Sequence, residues 1–458
     1  MSYKKIGHKI YNDIKKLYPL NRSLTGNGTR KTLSYLKKNN KNFKILEFKS
    51  GTKIFDWKIP PEWNVRDAWI KYNNKKIIDF KNLNLHLVSY SEPMKTKITY
   101  QKLIKNLHFI KNIPNAIPYV TSYYKKTWGF CLSYNQYKSL KKKGLYEVNI
   151  NSNFNENGSM SIGEILIKGK VKNEILLSTN ICHPSMVSNE LAGPVILNHI
   201  AKYYLNTNPY FSLRILFLPE TIGSLTYLKY NLKKIKKSLR AGFHITCFGD
   251  KKKFSVIHTK YKNSYSDEIL KKNFNNPKDF ISYDFKFCGS DERQYNYPGI
   301  NLPIATLTRS KFGEYKEYHN SLDNLQITNS KTLEESYFFI RKLIDQIIDE
   351  RNKKIKNSSK IIKPDYLKKF IRKKSPNDLM VVSKTKGEPF LSKRNLYRTL
   401  SKNNQIWKYP DSQFIMFNTL YYGDGLRISQ ISKIISKPFS KIFRTAKILE
   451  KNGLVQLK

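Results

Sequence analysis

No stretch of this chain approaches the ~18 consecutive apolar residues that a membrane-spanning helix needs, so it offers no candidate membrane helix. The first segment, Met1 to Leu20, is basic and amphipathic but lacks the continuous apolar stretch of a signal peptide, and a cytoplasmic location is expected. There are only four cysteines, Cys131, Cys182, Cys247 and Cys288, with no CxxC pair among them. This spacing excludes a disulfide framework and fits reduced thiols. Cys182 and Cys247 lie in apolar runs and read as small core residues. Acidic residues are also scarce, 34 Asp+Glu against 84 Lys+Arg, for a net charge of +50. A nucleic-acid binder would gather such an excess on one face. Here the lysines run along the whole chain and accompany abundant Asn, Ile, Tyr and Phe, the composition of an AT-rich genome, so nucleic acid is a partner that is open but not favoured.

What is present is enough apolar material to fold. Hydrophobic residues make up 40% and aromatics 13% of 458 residues, which implies two to four globular units. Ile6, Ile10, Ile14 and Leu17 repeat at helical spacing, and Thr29 is the expected cap of a second helix holding Leu33 and Leu36. From about Phe43 to Tyr119 short alternating runs punctuated by prolines predict a small β-rich unit. From Tyr146 to about Arg351 strands alternate with helices: strands over Glu174 to Ile181, Leu213 to Leu218, Gly242 to Phe248 and Leu302 to Thr308, and helices over Leu191 to Leu205, from Gly223, and over Ser330 to Asp349. That alternation predicts an α/β core on a mostly parallel sheet. A lysine-rich linker, Asn352 to Lys363, leads to a last unit whose three helical patterns from Asp411 onward have the shape of a winged helix-turn-helix, with Pro438 to Glu450 as the third helix.

In open α/β sheets ligands bind beyond the carboxyl ends of the strands. His183 follows one strand, Glu190 begins the next helix, Glu220 ends a second strand, His244 sits in a third, and His319 lies in a polar loop after a fourth. Imidazole and carboxylate are zinc ligands, and a metal-bound water needs a carboxylate to take its proton. Taken alone, each is a weak signal, and a lone His244 would read as a buried, hydrogen-bonded histidine. Three of only eight histidines at one expected sheet edge make the joint placement informative.

The order His183, Glu190, Glu220, His244, His319 resembles the co-catalytic zinc aminopeptidases related to glutamate carboxypeptidase and glutaminyl cyclase. "HPSMVSNELAG", "LPETIGS", "FHITCFGD" and "YHNSLDNL" carry that resemblance. More closely, "RSLTGNGTRKTL", "FDWKIPPEW", "FLPETIGS", "GSDERQYNYPGINLP" and "GEYKEYHNSLDNL" are similar to a bacterial family of aminopeptidase-like proteins associated with surface polysaccharide biosynthesis. The resemblance implies a three-layer core over 1–42 and 120–355, an inserted small β-rich domain over 43–119, and a winged helix over 364–458.

Carried over by position, it implies His183, Glu190, His244 and His319 as metal ligands and Glu220 as the general base. Glu190 stands where Asp bridges two metals, His244 where a ligating Asp is usual, and Thr221 where a second ligating Glu is usual. The altered set predicts one tightly held zinc and a second that is weak or absent. Asp291, Arg293, Arg309 and Tyr318 are the expected substrate-binding residues, with Tyr318 a candidate oxyanion donor. The implied activity is zinc-dependent hydrolysis of a peptide or amide bond in a peptide-like or amino-acylated small substrate. Two alternatives stand beside it: an amide- or carbohydrate-modifying protein on the same scaffold, and a nucleic-acid-binding regulator acting through the winged helix. A homo-oligomeric assembly is left open.

Overall fold

The structure is a computed structural model and describes residues 5–38, 40–273, 280–355, 358–372, 375–397 and 410–458. Met1 to Lys4 and part of the expected linker lie outside the described residues.

An eight-stranded sheet carries the core. Its strands are β1 (Phe43–Lys49), β2 (Ser159–Ile167), β3 (Val171–Asn180), β4 (Phe211–Leu218), β5 (Leu239–Ile245), β6 (Phe254–Ile257), β7 (Phe280–Tyr283) and β8 (Ile304–Thr308). They lie in the order β1-β2-β4-β3-β5-β8-β6-β7. The centre, β4-β3-β5-β8, is parallel, whereas β1-β2, β2-β4 and β6-β8 pair antiparallel. The sheet is therefore mixed, with its parallel part where the sequence alternates strand and helix. Central strands are covered on both faces, which is why β4 reads as an unbroken apolar run and is buried along its whole length.

One face packs against helices Ile6–Leu17, Ala192–Tyr204 and Ser330–Asp349 through Ile10, Ile14, Val195, Leu333 and Ile340. The other face, with Leu176, Leu216 and Ile304, packs against helix Ile222–Ser238 and a four-stranded antiparallel sheet. That small sheet consists of Glu62–Tyr72, Lys75–Asp79, Met94–Thr99 and Leu145–Asn155. Two strands exchange sides relative to the sequence reading. Phe43–Lys49, expected in the small unit, pairs with β2 at the edge of the large sheet. Leu145–Asn155, expected in the core alternation, pairs with Glu62–Tyr72 and Met94–Thr99 in the small one. Alternation marks a strand with one solvated face, and it is silent on which sheet that strand joins. Thr29 is also displaced: the helix begins at Asn27 after Gly26, and the Thr29 hydroxyl instead donates to Ser23 O at 2.6 Å.

The last unit has helices Asp411–Tyr421, Ile428–Ile435 and Phe439–Lys451 and a three-stranded sheet of Met380–Ser383, Asp424–Arg427 and Val455–Leu457. It shares one apolar cluster with the core: Val381, Leu420, Tyr421 and Leu426 pack with Ile257, Phe285, Tyr297 and Phe312. The buried Lys260 ammonium pairs with Asp424 at 3.3 Å across the same junction.

Arg214 on β4 is buried against the small-sheet side. It pairs in two-pronged fashion with Glu174 (3.1 and 2.9 Å), and also meets Glu164 and the Tyr227 hydroxyl. Removing one partner of such a cluster leaves charge buried without compensation, at a cost of about 3–5 kcal/mol. Arg214→Met should therefore lower the denaturant midpoint sharply, as followed by circular dichroism, and double replacement with Glu174→Leu should recover part of the loss.

Candidate functional site

Because β3, β4 and β5 run parallel and adjacent, the segments leaving their carboxyl ends share one edge. β3 runs into Cys182 and His183, both buried. The His183 backbone N–H donates to Glu190 Oε1 at 3.0 Å, and its ring Nδ1 meets Glu190 Oε2 at 2.8 Å. Both Glu190 oxygens are thus committed to His183, and Glu190 is 1% exposed. The pair has the arrangement in which a carboxylate fixes the tautomer and tilt of an imidazole and leaves Nε2 pointing outward. Burial opposes a charged ring, but the Cys182 sulfur and the Glu190 carboxylate raise the His183 pKa well above its usual value. Beneath it, the buried Arg22 guanidinium donates to His183 O at 3.0 Å. Burial pulls the Arg22 pKa down to about 10 while Glu190 pushes it back up.

β4 ends in Pro219-Glu220-Thr221. Ile222 N–H donates back to Glu220 O at 2.8 Å, and Thr221 has φ 64° and ψ −70°. This is a γ-turn of the rare positive-φ kind, strained for any L residue and more so for a β-branched one. Such a conformation costs about 1–3 kcal/mol and persists only where neighbours over-determine it. The neighbours are Asp291, whose Oδ1 accepts the Thr221 N–H at 2.8 Å, and Arg293, whose guanidinium donates to Thr221 Oγ1 at 3.1 Å. The turn presents Glu220, a quarter exposed, with Oε2 3.8 Å from His183 Nε2. Its Oε1 accepts from Ser290 Oγ at 2.7 Å, and its backbone N–H donates to Cys182 Sγ at 3.2 Å. Burial and the nearby Glu220 charge push the Asp291 carboxyl up to about 8.

His319, also at positive φ (55°), lies with its ring 5.0 Å from that of His183. Tyr318 stacks on it at 3.9 Å and Tyr119 meets it edge-on at 5.3 Å. Its Nε2 is buried with no hydrogen-bond partner. Burial and the His183 charge hold its pKa well below the usual value. Four residues on, the buried Asp323 carboxylate accepts the N–H groups of Val187, Ser188 and Asn189 at 3.1, 2.6 and 2.9 Å. One side chain thereby ties the His319 loop to the segment that carries Glu190.

The structure does not bring His244 or Arg309 to this group. His244 is 0% exposed, with Nδ1 3.0 Å from Ser178 Oγ and Nε2 3.1 Å from Ser290 Oγ. Ser290 gives its proton to Glu220, so His244 Nε2 is the donor and Nδ1 accepts from Ser178. Burial lowers its pKa to about 3, which keeps the ring neutral. Both nitrogens being used, His244 braces Ser290 rather than facing the His183 and His319 rings. Arg309 donates to Ser336 Oγ, Lys252 O, Thr332 O and Glu335, and stacks over Phe254 at 4.3 Å, so it fastens β8 to the long helix. Glu190, expected to bridge metals, is turned under His183. Sequence reasoning missed Ser290, Asp323, Tyr119 and Arg22. The first lies inside the "GSDER" segment that was singled out, but nothing in its type marks it as a hub between Glu220 and His244.

Three donors, from Cys182, His183 and Glu190, lie within 4.8 Å of one another. Burial pushes the Cys182 thiol up to about 11, so it stays protonated at neutral pH, and each Glu190 oxygen already meets His183. The better-suited edge is the outer one: His183 Nε2, the unpartnered His319 Nε2, and Glu220 beside them. Two imidazoles and a carboxylate are a donor set that suits zinc.

In the metal-free protein, the raised His183 pKa means the pair stabilises the fold below the unfolded value of 6.5, and this contribution is lost as pH rises through the folded value. Glu190→Gln should lower the midpoint of the His183 ring resonance in an NMR titration and flatten that pH dependence. An unchanged midpoint would show that Glu190 is not its partner.

Residues 11–351 match a family model described as "Domain of unknown function (DUF4910)", and residues 379–457 match a winged helix-turn-helix model. A Clostridium acetobutylicum protein named for polysaccharide biosynthesis and an aminopeptidase-like domain is 39% identical over 421 residues, 92% of this chain and 89% of the relative. The crystal structure of a Clostridium acetobutylicum protein, named as a candidate peptidase, superposes with a TM-score of 0.73 at 36% identity, covering 100% of this chain and 97% of that one. A zinc aminopeptidase from Bacillus subtilis shares the fold at TM-score 0.56 and 11% identity, covering 78% of this chain and 98% of that one. The chain is thus aminopeptidase-like in its α/β core, carries a C-terminal winged helix, and belongs to the DUF4910 family, as a relative of the Clostridium protein named for polysaccharide biosynthesis and an aminopeptidase-like domain.

Proposed function

We propose that this protein is a zinc-dependent hydrolase of a peptide or amide bond, with Glu220 as general base and His183 and His319 as the residues that hold the metal. The observation that carries the reading is the Glu220 carboxylate, with one oxygen fixed by Ser290 and the other 3.8 Å from the outward nitrogen of a carboxylate-oriented histidine. When bound, zinc would supply Lewis acidity toward the scissile carbonyl. Glu220 takes the proton of the attacking water on the oxygen that Ser290 leaves free, and returns it to the departing amine. Ser290, itself oriented by His244 and Asn180, keeps that carboxylate in one rotamer. Glu190 holds the His183 ring so that its proton leaves from Nε2 as the metal enters. With Glu190 spent in this way and Thr221 occupied by Arg293, the remaining donors support a single ion.

The name of the Clostridium relative favours a substrate met in polysaccharide assembly, an amide on an amino sugar or an amino-acylated sugar. Tyr318, stacked on His319, is the proposed substrate-facing group, whereas Asp291, 0% exposed, and Arg293, both expected from the sequence to bind substrate, are taken up in holding the Thr221 turn.

Stripping the purified protein with a chelator should lower both its thermal transition and its activity on amino-acyl and sugar-amide substrates, and Zn²⁺ should restore both. Stripped protein with an unchanged transition and unchanged activity would overturn the zinc reading. Glu220→Gln should reduce turnover by about 10²–10⁴-fold while zinc content measured by atomic absorption stays at the wild-type level.

A further inference from the structure

The γ-turn that presents Glu220 is held from outside its own strand. Asp291 takes the Thr221 N–H and Arg293 takes its hydroxyl. The guanidinium of Arg293 reaches, on its other side, a carboxylate that does not belong to the core: Nη1 lies 3.5 Å from Glu388 Oε2. Glu388 follows the first strand of the winged-helix unit, Met380–Ser383. It is buried and fixed at every polar atom that meets a neighbour. Its N–H donates to Gln294 Oε1 at 3.0 Å, its C=O accepts from Trp57 Nε1 at 2.7 Å, and its Oε2 accepts from the Tyr421 hydroxyl at 2.6 Å.

The segment around it is clamped to all three parts of the molecule. Gly387, at φ 72°, lies so close to helix Ile222–Ser238 that a Cβ there would sit 2.2 Å from Leu225 Cδ2. Phe390 stacks on Trp57 at 4.5 Å and meets Tyr124 at 4.6 Å. Asp56 accepts from the Phe390 N–H at 2.8 Å and pairs with Lys393 and Arg394, each at 2.6 Å. Trp57 and Asp56 come from the two-stranded hairpin of Lys53–Ile54 and Trp57–Lys58 before the small sheet, Leu225 from the helix that follows Glu220, and Tyr421 from the winged helix.

We propose that Glu388 is a positioning residue of the candidate hydrolytic site, acting through Arg293 to hold the Thr221 turn and so to aim Glu220. The winged-helix unit is then a structural component of that site. This inference rests on the hydrolase reading for its kinetic consequence, but its structural consequence stands apart from it. Glu388→Gln keeps the backbone bonds to Gln294 and Trp57 and removes the charge that Arg293 faces. Without that charge the guanidinium loses the carboxylate on its far side, and its grip on the strained Thr221 turn weakens.

The test uses the full chain and two readouts. Hydrogen exchange of the peptide spanning residues 219–225 should accelerate about tenfold in Glu388→Gln, with its thermal transition and zinc content retained. On a substrate that the wild type cleaves, kcat should fall by about tenfold to a hundredfold with KM unchanged. Glu388→Asp should recover part of both effects, and Tyr421→Phe, which loosens Glu388 without removing it, should give the same pattern more weakly even if Glu388→Gln folds poorly. Leu454→Ala, which weakens the winged-helix core away from this relay, should leave the exchange of 219–225 as in the wild type. Wild-type exchange in both Glu388→Gln and Tyr421→Phe would overturn the proposal, as would equal acceleration in Leu454→Ala. If the wild type cleaves nothing, the hydrolase reading fails while the exchange measurement still decides the role of Glu388.

Discussion

The candidate site depends on one buried carboxylate that has to be matched. Glu190 lies in the interior, where an isolated charge is untenable, and the chain answers with His183 on both of its oxygens and Arg22 close beneath. Satisfying Glu190 sets the tautomer and tilt of His183, which sets the direction of its Nε2, which in turn sets where Glu220 and His319 have to stand. The remaining pieces serve that geometry. Ser290 locks one oxygen of Glu220, Asp323 locks the segment from which Glu190 projects, and Tyr119 and Tyr318 enclose the second imidazole.

Much of this was legible in the chain because strand ends are legible. His183, Glu220 and His319 follow apolar runs with the length and β-branching of buried strands, and the switch from apolar run to polar cluster marks the edge where ligands bind. The expected strands and helices between β3 and the long helix occur in that order, and Ser330–Asp349 is bounded as its periodicity predicts, but the short strands β6 and β7 and the helix Tyr265–Asn273 between them were not anticipated. The failures have a common cause: position along a strand does not give the direction or partners of a side chain. His244 lies on the β5 neighbour of Ser178, and that pairing together with Ser290 consumes both ring nitrogens. Glu190, named as a ligand, does lie with Cys182 and His183 in a cluster that could hold a metal, but the sequence does not show that both its oxygens meet His183. Arg309 follows β8 as a substrate-binding residue would, but the long helix offers its guanidinium a carbonyl, a hydroxyl and a carboxylate.

The exchange of β1 and Leu145–Asn155 between sheets teaches the same lesson at a larger scale. Each is an alternating strand, and the contribution of each to the sequence pattern is identical whichever sheet it joins. Only the cross-strand partners decide, and those are distant: Phe43 faces Ile165, while Ile150 faces Ala68. The winged helix is likewise readable as a motif and unreadable as a neighbour. Its shape is local, but the cluster it shares with Ile257, Phe285 and Phe312 depends on a docking that no periodicity encodes.

The grip of Asp323 on three amides more than 130 positions upstream bears on when the site comes into being. The groups around Glu220 are supplied by residues as early as Arg22 and as late as His319, with Asp323 closing the loop between them. During synthesis from the amino terminus, no nascent chain shorter than 323 residues contains that closure. Loops of this length close slowly compared with local helix formation. The histidines therefore spend the early life of the chain apart, and a complete donor set exists only once the chain has been made as far as Asp323.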